Sequence, residues 1–201
     1  MDFFGSGLKD LLISIGLFGA WLILFAESGL LIGFFLPGDS LLFTAGLLAS
    51  QGHFSVWVLA IGGTIAAIIG NQVGYYLGHK FGPRIFRHED SVFFHKDHIE
   101  RAKTFYAKYG PVTLILSRFT PIIRTFVPIL AGVGGMDRTK FALYNIVGGI
   151  LWVFGVSLAG YYLGKIIPDI DKFILPIIAA IVLFSVLPTV ITYLKHRARK
   201  N

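Results

Sequence analysis

The sequence predicts an all-α integral membrane protein that contains an internal inverted repeat. Three observations lead to this fold class. The 201 residues are 55% hydrophobic and only 14% charged, whereas a soluble domain carries about 25% charged residues. Long apolar segments follow one another, and residues 141–164 hold no formal charge. The pentapeptide Gly-Tyr-Tyr-Leu-Gly occurs twice, at 74–78 and 160–164, each time at the end of a glycine-rich apolar segment.

Several apolar segments are long enough for a helix that crosses a bilayer, which needs about 20 residues. Residues 55–78 and 141–164 are two such spans, and 173–194 is the C-terminal span. Residues 8–26 either span the membrane or lie at its interface. In 96–109, apolar residues recur at helical spacing among basic ones, which predicts an amphipathic interfacial helix between the repeats. The whole chain is therefore expected to be one membrane domain.

A first broken element is predicted at 28–50, where a turn divides two apolar arms that are each too short to span. Pro37 and Gly38 form the turn signal, and their role is to shape the backbone. Asp39 follows as an N-cap candidate for a helix over 41–49. We expect this segment to form a re-entrant hairpin.

A second broken element is predicted at 111–135. It carries Arg118, Arg124, Pro121 and Pro128 within an apolar stretch. Each proline removes a backbone donor and disfavours helix at the residue before it, so both are expected to shape a hairpin. Such a stretch is tolerated at membrane depth only where it is buried in protein or lines a wet cavity.

The order of these parts, broken element and then span, repeats over 28–78 and 111–164. One span and the interfacial helix separate the two hairpins, so the hairpins are expected to enter from opposite faces. This is the inverted repeat of many secondary transporters, with the site where the repeats meet. Lys and Arg concentrate in 79–110, 136–140 and the C-terminal tail, which predicts that this face and the C-terminus are cytoplasmic.

Four ionisable residues lie at predicted membrane depth, namely Glu27, Asp39, Arg118 and Arg124. An arginine at the bilayer centre costs about 2.5–3.5 kcal/mol, so the acids and arginines are expected to pair. One interpretation is a set of structural salt bridges between the hairpins. The other is that the arginines bind an anion, above all phosphate, whose oxygens fit the guanidinium fork. The acids would then take up protons or gate the site. The two interpretations are compatible, because an anion can replace a carboxylate.

The other polar residues in the spans have a simpler interpretation as interhelical hydrogen-bonding groups. They are Asn71, Gln72, Thr120, Asn145 and Trp152. His88, His95 and His98 are interpreted as parts of a solvated loop, so no metal site is predicted. The chain has no cysteine and none of the Walker, HExxH or GxSxG patterns. Neither an enzymatic activity nor a cofactor is therefore predicted.

Several motifs together resemble the DedA family of bacterial membrane proteins, which is related to the eukaryotic VTT-domain proteins. They are Glu27, Phe35 to Asp39, Arg118 to Pro121 with Arg124, Gly132 to Met136, Phe141, Asn145 and Trp152.

The resemblance implies two opposed re-entrant hairpins in the bacterial plasma membrane, an essential acidic pair at Glu27 and Asp39, and an essential arginine pair at Arg118 and Arg124. It also implies proton-coupled movement of a lipid, above all undecaprenyl phosphate and in one branch phosphatidylethanolamine.

The expected partners are a membrane lipid, protons and a second copy of the chain, but not nucleic acid, because the basic residues lie beside apolar segments. The alternatives are a proton-coupled transporter of a small solute or ion, a lipid phosphatase, and a scaffold whose buried charges are only structural.

Overall fold

A computed structural model of the chain describes residues 3–30, 36, 38–85, 112–119 and 121–167. Most of these residues lie in helices. The helices are α1 (Phe3–Gly29), α2 (Gly38–Ser50), α3 (Val56–Ile85), α4 (Val112–Ser117), α5 (Pro121–Val133) and α6 (Arg138–Ile166). The predicted helices at 96–109 and 173–194, and Pro37 of the predicted turn, lie outside the described residues.

Two helices are long and apolar enough to cross a membrane. They are Val56–Phe81 within α3 and Arg138–Ile166, the whole of α6, and they confirm the spans predicted at 55–78 and 141–164. Large apolar side chains on both remain exposed, such as Ile65 and Leu151. Extended exposed apolar surface is rare on soluble monomers, so these faces suit contact with lipid.

Helix α1 differs from the continuous segment predicted at 8–26. Its backbone leaves the helical region at Gly16, where φ is 62° and ψ is −169°, a conformation open essentially only to glycine. The helix then continues through Glu27 to Gly29. Glu27 therefore lies in the last turn of α1, rather than at the start of a separate hairpin.

The two broken elements each contain a turn or break next to a short helix. Helix α2 begins at Gly38 instead of Leu41, so Asp39 lies in its first turn, where a carboxylate interacts favourably with the helix dipole. The interruption of helix predicted before Pro121 is confirmed, because α4 ends at Ser117 and α5 begins at Pro121, a favoured position for proline.

Pro128 lies inside α5 and does not end it. We had expected a break at this residue. Proline is tolerated inside membrane helices because surrounding groups can satisfy the freed backbone carbonyl.

One compact unit contains, of the described residues, 3–20, 38–61 and 154–167. In it, the nearly wholly buried α2 packs against the C-terminal half of α6. A side chain at Gly46 would collide with the carbonyl of Ser157, and one at Gly160 with the carbonyl of Phe43. Glycines thus let the two backbones approach closely. Phe43 and Leu47 form the apolar centre of the contact.

The other compact unit contains residues 21–36 and 62–153. In it, the end of α1 crosses α3 at Gly29 and Gly70, where a Cβ on Gly70 would lie 2.5 Å from the carbonyl oxygen of Phe25. Helix α5 packs against the other end of α3. The apolar core of this unit is formed by Tyr75, Leu114, Val127, Ala131 and Phe141.

Candidate functional site: a buried arginine pair

The site lies in the unit made by the end of α1, α3, α4, α5 and the first half of α6. Arg118 lies in the turn that follows α4, and it is only 3% exposed. Its Nη2 donates to the side-chain Oδ1 of Asn145 at 2.5 Å and to the Asn145 carbonyl at 3.3 Å. These two partners are neutral, so they orient the guanidinium without balancing its charge.

Space for Arg118 is provided by two glycines on α6. A Cβ on Gly148 would lie 3.0 Å from Arg118 Cδ, and one on Gly149 would lie 3.6 Å from Arg118 Nη2. Larger residues at these positions would push the guanidinium away. The segment from Asn145 to Gly149 thus presents a hydrogen-bond acceptor and a flat backbone surface to the arginine.

Arg124 lies in the first turn of α5 and is also buried. Its Nη2 donates to Glu27 Oε1 in an ion pair that joins α5 to the last turn of α1. Glu27 is 2% exposed. The pairing of an acid with an arginine, predicted from their cost in a membrane, is therefore confirmed for these two residues.

Trp152 links the two arginines. The Cζ atom of Arg124 lies 4.7 Å from the centroid of the indole, and that of Arg118 lies 6.0 Å from it. Cations at this distance are attracted by the ring, more strongly where water is excluded. Trp152 is fully buried on α6, so one aromatic surface supports both positive charges.

A pair of asparagines completes the polar cluster. Asn145 donates from Nδ2 to the carbonyl of Ile68 at 3.0 Å, which fixes its Oδ1 toward Arg118. The Asn71 amide can be placed in two orientations, of which the second suits the neighbouring Ser28 carbonyl and Arg118 better. In one it donates to Asn145 Oδ1 at 3.1 Å. In the other it donates to the Ser28 carbonyl and accepts from Arg118 Nη2.

Three charged side chains are buried in the described part of this cluster. They are Glu27, Arg118 and Arg124. Glu27 Oε2 and Arg118 Nε have no hydrogen-bond partner within that part of the chain. Leaving a buried polar atom unpaired costs about 1–3 kcal/mol, and more for a charged group. Arg118 Nε is therefore a buried donor that no described residue satisfies.

The remaining predicted site residues have different positions. Asp39 lies in the first turn of α2, which belongs to the other compact unit. Gly38 is the first residue of α2 and Pro121 the first of α5. His88, His95 and His98 lie outside the described residues.

Two residues have a larger role than the sequence indicates. Asn145 and Trp152 are predicted to be interhelical hydrogen-bonding groups, and the bond between Asn71 and Asn145 confirms part of that interpretation. Both residues also contact the arginines. Asn145, Gly148, Gly149 and Trp152 lie on one helix face, at spacings of three, four and seven residues. That pattern in an otherwise apolar helix was the available signal.

Comparison with known proteins places the chain among membrane proteins. It matches the VTT domain over residues 36–162. It is 42% identical to Protein DedA of Escherichia coli over 188 residues, which is 90% of this chain and 85% of that protein.

An uncharacterized membrane protein of Mycobacterium tuberculosis is 44% identical over 186 residues, covering 91% of this chain and 81% of that protein. Inner membrane protein YqjA of Escherichia coli is 34% identical over 148 residues, which cover 74% of this chain and 67% of that protein. No solved structure matches the chain significantly.

Proposed function

The chain belongs to the DedA family of VTT-domain membrane proteins, and on that premise we propose that it moves a phosphate-bearing lipid across the bacterial plasma membrane. Undecaprenyl phosphate is the lipid that we propose, and phosphatidylethanolamine is the alternative. The observation that carries the proposal is the buried arginine pair, because Arg118 has neutral partners and an unpaired Nε.

The phosphate would bind by exchange. Its oxygens would accept from Arg118 Nε and from Arg124, and so would displace Glu27 from its ion pair. The released Glu27 carboxylate would then be buried without a counter-charge, which is costly unless it takes up a proton. Phosphate binding and proton uptake would thus occur together. Asp39 would serve as the second acid, for proton transfer or gating.

The glycine contacts support the proposed inverted repeat. In one unit, Gly132 of α5 faces the carbonyl of Tyr75, within the first Gly-Tyr-Tyr-Leu-Gly segment. In the other, Gly46 of α2 faces the carbonyl of Ser157, next to the second such segment. The same number of residues separates Gly46 from Gly132 as separates the two pentapeptides. We propose that α2 and the α4–α5 pair belong to hairpins that enter from opposite faces, with a cytoplasmic C-terminus.

A solute transporter is the main rival. It needs a polar path that is closed to the bilayer, whereas a lipid carrier needs an apolar path for the lipid tail. A phosphatase would need a nucleophile with a base beside it. Ser117, the hydroxyl residue next to Arg118, donates to the carbonyl of Leu114 in its own helix, so it is not arranged for attack.

The test is lipid movement in sealed proteoliposomes. Purified protein is reconstituted with undecaprenyl phosphate or labelled phosphatidylethanolamine, with and without a pH gradient. We expect gradient-sensitive movement of one lipid, lost in Arg118→Ala and in Asp39→Asn and retained in the surface control Lys140→Gln. No movement of either lipid by folded wild-type protein would refute the proposal and favour the solute transporter or the scaffold.

A further inference from the structure

A groove of about 400 Å³ lies on the surface of the unit that contains the arginine pair. It is lined along α3 by Ile68, Ile69, Gln72, Val73, Tyr75 and Tyr76, and at its end by Arg138 of α6. Its volume is within the range of ligand-binding clefts. The lining is almost wholly apolar, and among the described residues that form it Arg138 is the charged one.

The groove has an apolar end and a cationic end, which match the apolar chain and the anionic phosphate of a lipid. Ile68 and Ile69 lie near the middle of the apolar span Val56–Phe81, and Arg138 is the first residue of the span that ends at Ile166. The apolar end of the groove therefore lies at mid-span depth, and its cationic end lies where a span meets the headgroup layer. Arginine at that level attracts anionic headgroups.

The floor of the groove adjoins the arginine site. Ile68 lines the groove, and its carbonyl accepts from Asn145, the residue that orients Arg118. A Cβ on Gly149 would lie 3.0 Å from Ile68 Cγ1 and 3.6 Å from Arg118 Nη2. Gly149, which has no side chain, therefore lies close to both Ile68 and Arg118.

We infer that this groove binds the hydrocarbon chain of a phosphate-bearing lipid, with the lipid phosphate at Arg138, as an entry site beside the arginine pair. The inference rests on the proposed function for its role in transport. The charge of the groove argues for this occupant, because its apolar lining matches a hydrocarbon chain and Arg138, which also interacts with Tyr75, matches a phosphate.

The experiment uses wild-type protein in phosphatidylcholine vesicles that contain a phosphatidic acid probe with a photoreactive diazirine in its acyl chain. Cross-linked peptides are mapped by mass spectrometry. We expect cross-links concentrated at 68–76, and fewer with the matching phosphatidylcholine probe. Ile69→Trp, which fills the groove, should abolish this concentration. The control Ile65→Trp, one turn away on the same exposed face, should not.

The cationic end has its own matched pair of variants. Arg138→Gln should lower cross-linking by the phosphatidic acid probe about fivefold, the contribution of one cation at an anionic surface. Lys140→Gln, an equally exposed cation in the same helical turn, should leave it unchanged. The inference would be overturned if Ile69→Trp and Ile65→Trp had equal effects, or if the two cation variants did. Either result would mean that the cross-linked probe is ordinary annular lipid.

Arg118→Gln separates this inference from the proposed function. The variant should lose lipid movement in proteoliposomes and keep the cross-links at 68–76. Wild-type protein could also move no lipid and still give cross-links that Arg138→Gln weakens. That result would support the groove and refute the transport proposal. Lipid movement without concentrated cross-links would refute the groove alone.

Discussion

At the scale of the residue, the protein holds two buried guanidinium groups by different means. Arg124 has the carboxylate of Glu27, whereas Arg118 has the amide and carbonyl oxygens of Asn145. Trp152 contributes its ring to both. A neutral partner leaves Arg118 attractive to an anion, and a carboxylate partner on Arg124 provides a group that an anion can exchange with.

The ion pair between Glu27 and Arg124 gives the first stability prediction. Glu27→Gln removes the negative charge and leaves Arg124 buried, which should destabilise the protein by about 3–5 kcal/mol. Thermal unfolding in detergent should show a lower Tm than wild type. Added inorganic phosphate should raise the Tm of the variant more than that of wild type, since an anion can take the position of the carboxylate. A variant as stable as wild type would contradict this account of the pair.

Arg118 tests the geometry of anion binding rather than charge alone. Arg118→Lys keeps the charge but loses the planar fork that binds two oxygens at once. Losing one charge-assisted hydrogen bond of about 1.5–3 kcal/mol should weaken binding of undecaprenyl phosphate about ten- to hundredfold. The control Lys140→Arg, a charge-preserving change at an exposed position, should bind normally. Binding unchanged in Arg118→Lys would indicate a simple structural charge.

At the scale of the element, close helix contacts determine whether Glu27 reaches Arg124. The end of α1 is held against α3 where Gly70 faces the Phe25 carbonyl and the Ser28 side chain. These contacts lie within one turn of Glu27. The position of the carboxylate therefore depends on how closely two helix backbones approach.

Substitution of Gly70 tests this dependence. Gly70→Ala places a Cβ 2.5 Å from the Phe25 carbonyl oxygen and should cost about 1–3 kcal/mol by overpacking. It should also lower transport, because α1 must move away from α3. Gly155→Ala is the matched control, since a Cβ there meets nothing within 4 Å. Equal Tm values for the two variants would contradict the proposed role of the contact.

Most helical elements could be predicted from the sequence, because length and apolar composition determine them. The spans of α3 and α6 and the break after Ser117 are examples. The interruption of α1 at Gly16 could not be predicted, since nothing in the local pattern distinguishes that glycine from Gly19 within the same helix. The uninterrupted passage of α5 through Pro128 also depends on surroundings that local propensity does not describe.

The candidate site was predicted in part, for a physical reason. Buried charges in apolar sequence are conspicuous, so Glu27, Arg118 and Arg124 were identified from their cost in a membrane. The partners of Arg118 are neutral, and a neutral asparagine or tryptophan in a span has several ordinary roles. Only the folded arrangement shows that Asn145 and Trp152 both contact arginines.

At the scale of the whole molecule, the distribution of basic residues predicts the orientation in the membrane. The loop before α3 should face outward, and the loop before α6 should face the cytoplasm. The chain contains no cysteine, so single cysteines can be labelled without background. His53→Cys should react with a membrane-impermeant maleimide in intact spheroplasts, and Lys140→Cys only after permeabilisation. The reverse pattern would overturn the proposed topology.

The central claim is that the buried arginine pair binds the phosphate of a lipid, and one comparison tests it directly. Binding of undecaprenyl phosphate and of undecaprenol, which has the same chain without the phosphate, is measured by native mass spectrometry on wild-type protein and on Arg118→Ala. We predict that wild type prefers the phosphate form by at least about tenfold, the contribution of one charge-assisted hydrogen bond, and that Arg118→Ala loses the preference. Equal binding of the two lipids to wild type would contradict the claim.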